Sequence, residues 1–83
     1  MEIYESKIAV EILIYLYKNK DKENLSNNLS FELRRTYSAV SKTLKFLRDN
    51  EFIKSKNIGR KKPLKLTNKG IDAALNLIEL TTL

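Results

Sequence analysis

The chain has 83 residues, 42% of them apolar, a formal charge of +6, and neither cysteine nor histidine. So short a chain encloses one core, and residues 1–83 are expected to form a single domain. Without thiols or imidazoles there is no disulfide framework, no usual ligand set for zinc, copper or iron, and no common general base, so no metal, cofactor or catalytic residue is expected and the chain is not read as an enzyme. No apolar run approaches the roughly 20 residues that cross a bilayer, and the opening MEIYESK is acidic and polar, unlike a signal peptide. The expected location is cytoplasmic, with no membrane partner.

Residues from about Glu5 to Asn19 contain neither Gly nor Pro and are rich in Ile, Leu and Ala, which predicts a first helix. Ile8, Ile12 and Leu16, with Ala9 and Leu13, form one i, i+4 stripe, while Val10, Ile14 and Tyr17 form a second on another side. One stripe serves the core. The other needs a cover: the last helix, a second subunit, or more of the same core. The polar run Asn19 to Asn24 marks a loop, with room for a short strand over Glu23 to Leu25. Ser26 or Asn27 suits the N-cap of a short second helix reaching about Arg34, with Leu29 and Leu33 inward. Phe31 falls off that stripe and has two readings, packing on a neighbouring helix or at a subunit contact.

Thr36 is a good N-cap for a third helix, Tyr37 to about Asn50, whose Val40, Leu44 and Leu47 face inward. Tyr37, Ser38, Ser41, Lys42 and Lys45 fall on the opposite side, with Phe46 and Arg48 on the flanks. Asn50 is the expected left-handed residue at the helix end. Phe52 to Asn57 and Leu64 to Thr67 alternate as two strands: Ile53 and Ser55 point one way and Lys54 and Lys56 the other, while Leu64 and Leu66 point in and Lys65 out. Between them Gly59 supplies a positive φ, Pro63 is tolerable at the start of an edge strand, and Arg60, Lys61 and Lys62 are left at the tip. Thr67 then caps a last helix, Asn68 to about Leu80. Ile71, Ala74, Leu75 and Ile78 form its first stripe, and Leu77 and Leu80 widen it. Too short to stand alone, it should pack on the surplus face of the first helix, within one chain or between two.

Charge is concentrated rather than spread. From Arg34 to Lys69 there are 12 cationic residues and 2 acidic ones, a net +10, while the remainder carries four lysines and eight carboxylates, a net −4. Three consecutive cations at a hairpin tip repel one another unless an anion is near. The hydroxylated and cationic face of the third helix could be a merely solvated surface, but beside such a hairpin it points to duplex DNA. Aromatic residues do not interleave with the basic ones, which disfavours a stacking platform for single strands.

The order helix, helix, helix, two-stranded wing, helix resembles the winged helix-turn-helix domains of MarR-like and PadR-like transcriptional regulators, a mainly α fold with a small β-hairpin (α+β). TYSAVSKTLKFLRDNEFI resembles the recognition helix entering the wing, LKLTNKG the wing's end, and GRKKP a basic wing tip. The resemblance implies sequence-specific binding to double-stranded DNA by a homodimeric transcriptional regulator. Tyr37, Ser38, Ser41, Lys42 and Lys45 would enter the major groove, and Arg60, Lys61 and Lys62 would reach the backbone or minor groove, with Lys56 a further candidate contact. Arg34 and Arg35 stand where that family often has a Gly and an aliphatic residue; they are read as phosphate contacts in preference to solvated turn residues. The family's long terminal dimerisation helices are not matched, so a dimer is expected to use the first and last helices. Two other readings compete: an architectural DNA-binding protein with little sequence preference, and a protein-interaction winged helix.

Overall fold

The computed structural model describes residues 6–55 and 59–81. Lys56, a candidate contact on the first wing strand, lies outside them. Helix α1, Lys7–Lys18, begins where the Ser6 side chain accepts from the Ala9 amide at 3.2 Å, and ends where Asn19 donates to the Tyr15 carbonyl through both backbone and side chain. The following loop is tied by buried Asn24, whose Nδ2 donates to the Asn19 carbonyl at 3.0 Å and the Lys22 carbonyl at 3.3 Å. No strand forms over Glu23 to Leu25. A single bond survives of that expectation, the Leu64 amide donating to the Asn24 carbonyl at 2.7 Å.

Helix α2, Ser26–Glu32, opens one residue earlier than a Ser26 or Asn27 cap requires: Leu25 holds the cap position without a side-chain bond, and Ser26 is already helical. Leu29 is buried, but Phe31 is 81% exposed, so it packs on no neighbouring helix of its own chain. Helix α3, Tyr37–Asp49, begins as expected, with Thr36 Oγ1 accepting from the Ala39 amide at 3.2 Å and Val40, Leu44 and Leu47 buried. Its end differs. Asn50 has φ −99°, and the left-handed residue is Glu51 at φ 62°. The Phe52 amide donates to the Leu47 carbonyl and the Glu51 amide to the Arg48 carbonyl, the bond pair of a helix ending that normally has glycine at the left-handed position.

Strands β1, Ile53–Ser55, and β2, Leu64–Leu66, pair antiparallel with Ile53 opposite Leu66 and Ser55 opposite Leu64. Ile53 and Leu64 are buried, and Gly59 has the expected positive φ of 61°. Helix α4, Asn68–Thr81, is capped by Thr67, whose Oγ1 accepts from the Gly70 amide at 3.0 Å. Its buried residues are Gly70, Ala74 and Leu77; Leu75, expected on the inner stripe, is 43% exposed. Glycine and alanine let α4 come close to its neighbours. At Gly70 even a methyl group would lie 2.0 Å from the Phe52 carbonyl oxygen.

The core is built around α1, which packs against α3, β2 and, most extensively, α4. Ile12, Leu13 and Leu16 sit at its centre with Leu29, Val40, Leu44, Leu47, Ile53 and Leu77. Within the chain α4 is therefore the principal cover of α1. Part of the second stripe stays accessible: Val10 and Ile14, with Tyr15 and Leu33, line an open, largely apolar depression of about 320 Å³.

Candidate nucleic-acid interface

The helical period that buries Val40, Leu44 and Leu47 leaves the other side of α3 in solvent. Tyr37, Ser38, Ser41, Lys42 and Lys45 come together there along an open groove of about 810 Å³. Its wall also includes Leu44 and Asp49, together with Ser26 and Arg48, which were not among the candidates. Arg48 carried a usable signal, since it lies seven residues after Ser41 and three after Lys45, on the same face of a helix. Ser26 carried none, because the end of α2 that meets α3 is set by tertiary packing.

The groove's cations differ in their freedom. Lys42 and Arg48 make no ion pair among the described residues. Lys45 Nζ lies 3.2 Å from Asp49 Oδ2 in an i, i+4 pair whose side chains are 76% and 60% accessible. Such exposed pairs contribute about 0.3–0.5 kcal/mol, so an incoming phosphate competes with Asp49 at little cost.

At the wing, Arg60, Lys61 and Lys62 are all exposed. Lys61 Nζ is 3.2 Å from Glu23 Oε1, while Arg60 and Lys62 are unpaired among the described residues. Lys54 and Lys65 stand directly opposite each other on the strands, where like charges repel. Lys65 Nζ turns away to the Lys20 carbonyl at 3.1 Å. The Lys61 contact also relates the wing to the groove: Glu23 is three residues from Ser26, so at most about 10 Å of extended chain separates them.

The two arginines before α3 have different fates. Arg34 is exposed and takes φ 55°, the second non-glycine residue in the left-handed region. The Arg34 amide donates to the Phe31 carbonyl and the Arg35 amide to the Ser30 carbonyl, so α2 ends with the same bond pair as α3. The turn keeps a glycine-type geometry without glycine. Arg35, by contrast, is partly exposed and held in an ion pair: its Nε is 3.1 Å from Glu11 Oε1 and its Nη2 2.8 Å from Oε2, with the two side chains 33% and 29% accessible. The hydrogen-bonded guanidinium holds the Glu11 carboxyl below its ordinary value, against the opposing pull of partial burial. Glu11 occupies the Nε and Nη2 edge of the guanidinium, which a phosphate could take only by displacing it.

Among the described residues no cluster of acidic side chains could hold a metal ion, and no helix is long and apolar enough to cross a membrane. No family model matches the sequence, and no curated protein matches it. Likeness is found in three dimensions. MepR, a transcription regulator of the Staphylococcus aureus multidrug efflux pump MepA, superposes with a TM-score of 0.87 over 93% of this chain at 24% identity, and a MepR variant bound to an oligodeoxyribonucleotide gives 0.86. The transcription regulator MarR from Oenococcus oeni gives 0.78 over 88% of the chain at 28% identity, and a protein from Archaeoglobus fulgidus gives 0.84 over 93% at 20% identity. This chain spans 58% of MepR, 57% of the Oenococcus protein and 87% of the Archaeoglobus one. A three-helix core, a two-stranded wing and a further helix make it a winged helix-turn-helix domain of the kind found in MarR-like transcription regulators.

Proposed function

We propose that this domain binds double-stranded DNA with sequence preference, as a homodimeric transcription regulator, placing α3 in the major groove and the wing on the backbone or minor groove. The observation that carries the reading is the exposed side of α3. Its hydroxyls at Tyr37, Ser38 and Ser41 lie beside Lys42, Lys45 and Arg48 in one groove, a mixture suited to base edges and phosphates at once. Arg34, Arg60 and Lys62, which have no ion-pair partner among the described residues, supply backbone contacts together with Lys61. The solved complex of a MepR variant with an oligodeoxyribonucleotide supports the same reading by analogy of fold.

A dimer through α1 and α4 is favoured by apolar surface left on both: the depression beside Val10 and Ile14, and Leu75 and Leu80 at 43% and 58% exposure. Two-fold symmetry would set half-sites about one helical turn, roughly 34 Å, apart. Selection of bound sequences from a random duplex pool, with sedimentation of the bound species, tests specificity and stoichiometry together. A selected site should be preferred over random duplex by about 1,000-fold or more, and affinity should fall on the order of 1,000-fold between about 50 and 200 mM salt. Equal affinity for both duplexes would favour the architectural reading. Retardation of no duplex at low salt would remove DNA binding and leave an acidic protein partner for the same basic face.

A further inference from the structure

We propose that Glu11 is a positioning residue for DNA recognition: by gripping Arg35 with both carboxylate oxygens it fixes the start of α3 against α1, and so sets how sharply the domain tells one DNA sequence from another. This rests on the DNA-binding reading above, but concerns a residue of α1 that lies outside the α3 groove and the wing.

Three features single the pair out. The first is reach. Glu11 and Arg35 are 24 residues apart in the chain, and their contact is the one ion pair among the described residues that joins α1 to the α2–α3 turn; Lys45 with Asp49 lies within α3, and Lys61 with Glu23 ties the wing to a loop. The second is what stands at each end. On α1, Glu11 is adjacent to Ile12 and Leu13, both fully buried, so its backbone is a fixed reference. On the other side, Arg35 lies between left-handed Arg34 and Thr36, the cap of α3, and its own amide donates to the Ser30 carbonyl. The ion pair therefore ties the residue just before the α3 cap to the fixed backbone of α1. The third is chemistry. A planar guanidinium meeting a carboxylate through two parallel bonds fixes direction as well as distance, which a lysine ammonium cannot do.

The consequence falls on discrimination more than on affinity. Tyr37, Ser38 and Ser41 are short or rigid side chains near the start of α3, and a tilt that moves them by about 1 Å breaks hydrogen bonds to base edges, which need donor–acceptor distances near 3 Å. Lysines and arginines on flexible stems follow a displaced phosphate.

The test uses the full chain, a duplex carrying the selected sequence and a random duplex, at a temperature where every variant is shown to be folded by its thermal transition. Glu11→Gln keeps shape and one acceptor oxygen but loses the charge and the paired geometry. It should lower the selected-to-random affinity ratio about tenfold, the weight of one base contact, while random-duplex affinity changes by no more than about twofold. Arg35→Lys should do the same. Combining Glu11→Arg with Arg35→Glu should recover part of the discrimination that either single reversal removes. Amide exchange at Ala39 and Val40, in the first turns of α3, should quicken in Glu11→Gln without DNA. An unchanged ratio in Glu11→Gln, or a loss of equal size on both duplexes, overturns the positioning role while leaving DNA binding in place. Failure of the unmodified chain to bind any duplex overturns the DNA reading itself, and this inference with it.

Discussion

Replacing Arg34 by glycine should make the protein more stable and a weaker DNA binder at once. Arg34 ends α2 at φ 55° as Glu51 ends α3 at φ 62°. An L-residue in the left-handed region costs about 1–2 kcal/mol, and glycine's greater freedom in the unfolded chain takes back about 0.5–1 kcal/mol, so each replacement should stabilise by about 0.5–1 kcal/mol. For a domain of this size that is a rise of about 2–8 °C in Tm, measurable by circular dichroism. Arg34→Gly also deletes an exposed cation without an ion-pair partner among the described residues, so the slope of log affinity against log salt should shallow by about 0.9 per protomer on selected and random duplexes alike. Glu51→Gly is the matched control: the same relief of backbone conformation with loss of an anion, hence a similar rise in Tm and no loss of DNA affinity. An unshifted Tm in both variants would refute the assigned backbone cost. A rise in Tm with an unchanged salt slope in Arg34→Gly would remove Arg34 from the DNA contacts.

Gly70→Ala should destabilise by about 3 kcal/mol or prevent folding, because the added methyl meets the Phe52 carbonyl oxygen at 2.0 Å and Leu66 Cδ2 at 3.1 Å; a denaturant midpoint within error of the parent would contradict the close approach. Arg60→Ala and Lys62→Ala should weaken selected and random duplexes equally, whereas Ser41→Ala and Lys42→Ala should cost about 1–3 kcal/mol at the selected site and less elsewhere; identical behaviour of the two sets would undo the division between wing and helix. The Glu11 carboxyl titrates below 4.5 when folded, so its contribution to stability is complete above that ordinary value and is lost as pH falls through the lower folded one. Urea midpoints from about pH 6 to 3 should fall less steeply on the acid side in Glu11→Gln than in the parent, and superimposable acid limbs would show that the pair adds nothing to stability.

Local patterns were legible and long-range partners were not. Thr36, Thr67 and the i, i+4 run Val40, Leu44 and Leu47 announce helix starts and an inward face from neighbours a few residues away, and the structure has them where those neighbours imply. The alternation around Ile53 and Leu64 likewise gives the wing. On the last helix Ala74 and Leu77 are buried as the pattern implies, whereas Leu75 and Leu80 are exposed and Gly70, which no apolar pattern marks, is buried, since small side chains are what allow α4 to come close. The left-handed position after α3 fell one residue beyond Asn50, at Glu51, because the bond pair from Phe52 and Glu51 overrides the residue's own preference.

The basic segment shows the same division more sharply. Its cations look equivalent in the sequence, yet each has a different availability once folded. Arg35 is held by Glu11, a partner 24 residues away; Lys65 and Lys69 donate to the carbonyls of Lys20 and Asn50; Lys45 and Lys61 sit in weak exposed pairs. Arg34, Lys42, Arg48, Lys54, Arg60 and Lys62 are left without ion-pair partners among the described residues, distributed over the turn, the groove and the wing. Net charge therefore overstates the surface an anion can use. What a polyanion would meet first is this subset, and because an exposed pair is worth a fraction of a kcal/mol, Lys45 and Lys61 would join it on contact, whereas Arg35 would share its guanidinium with Glu11. On the reading proposed above, Arg35, next to the Thr36 cap, would contribute by holding the start of α3 in place, and the six cations just named would contribute by charge.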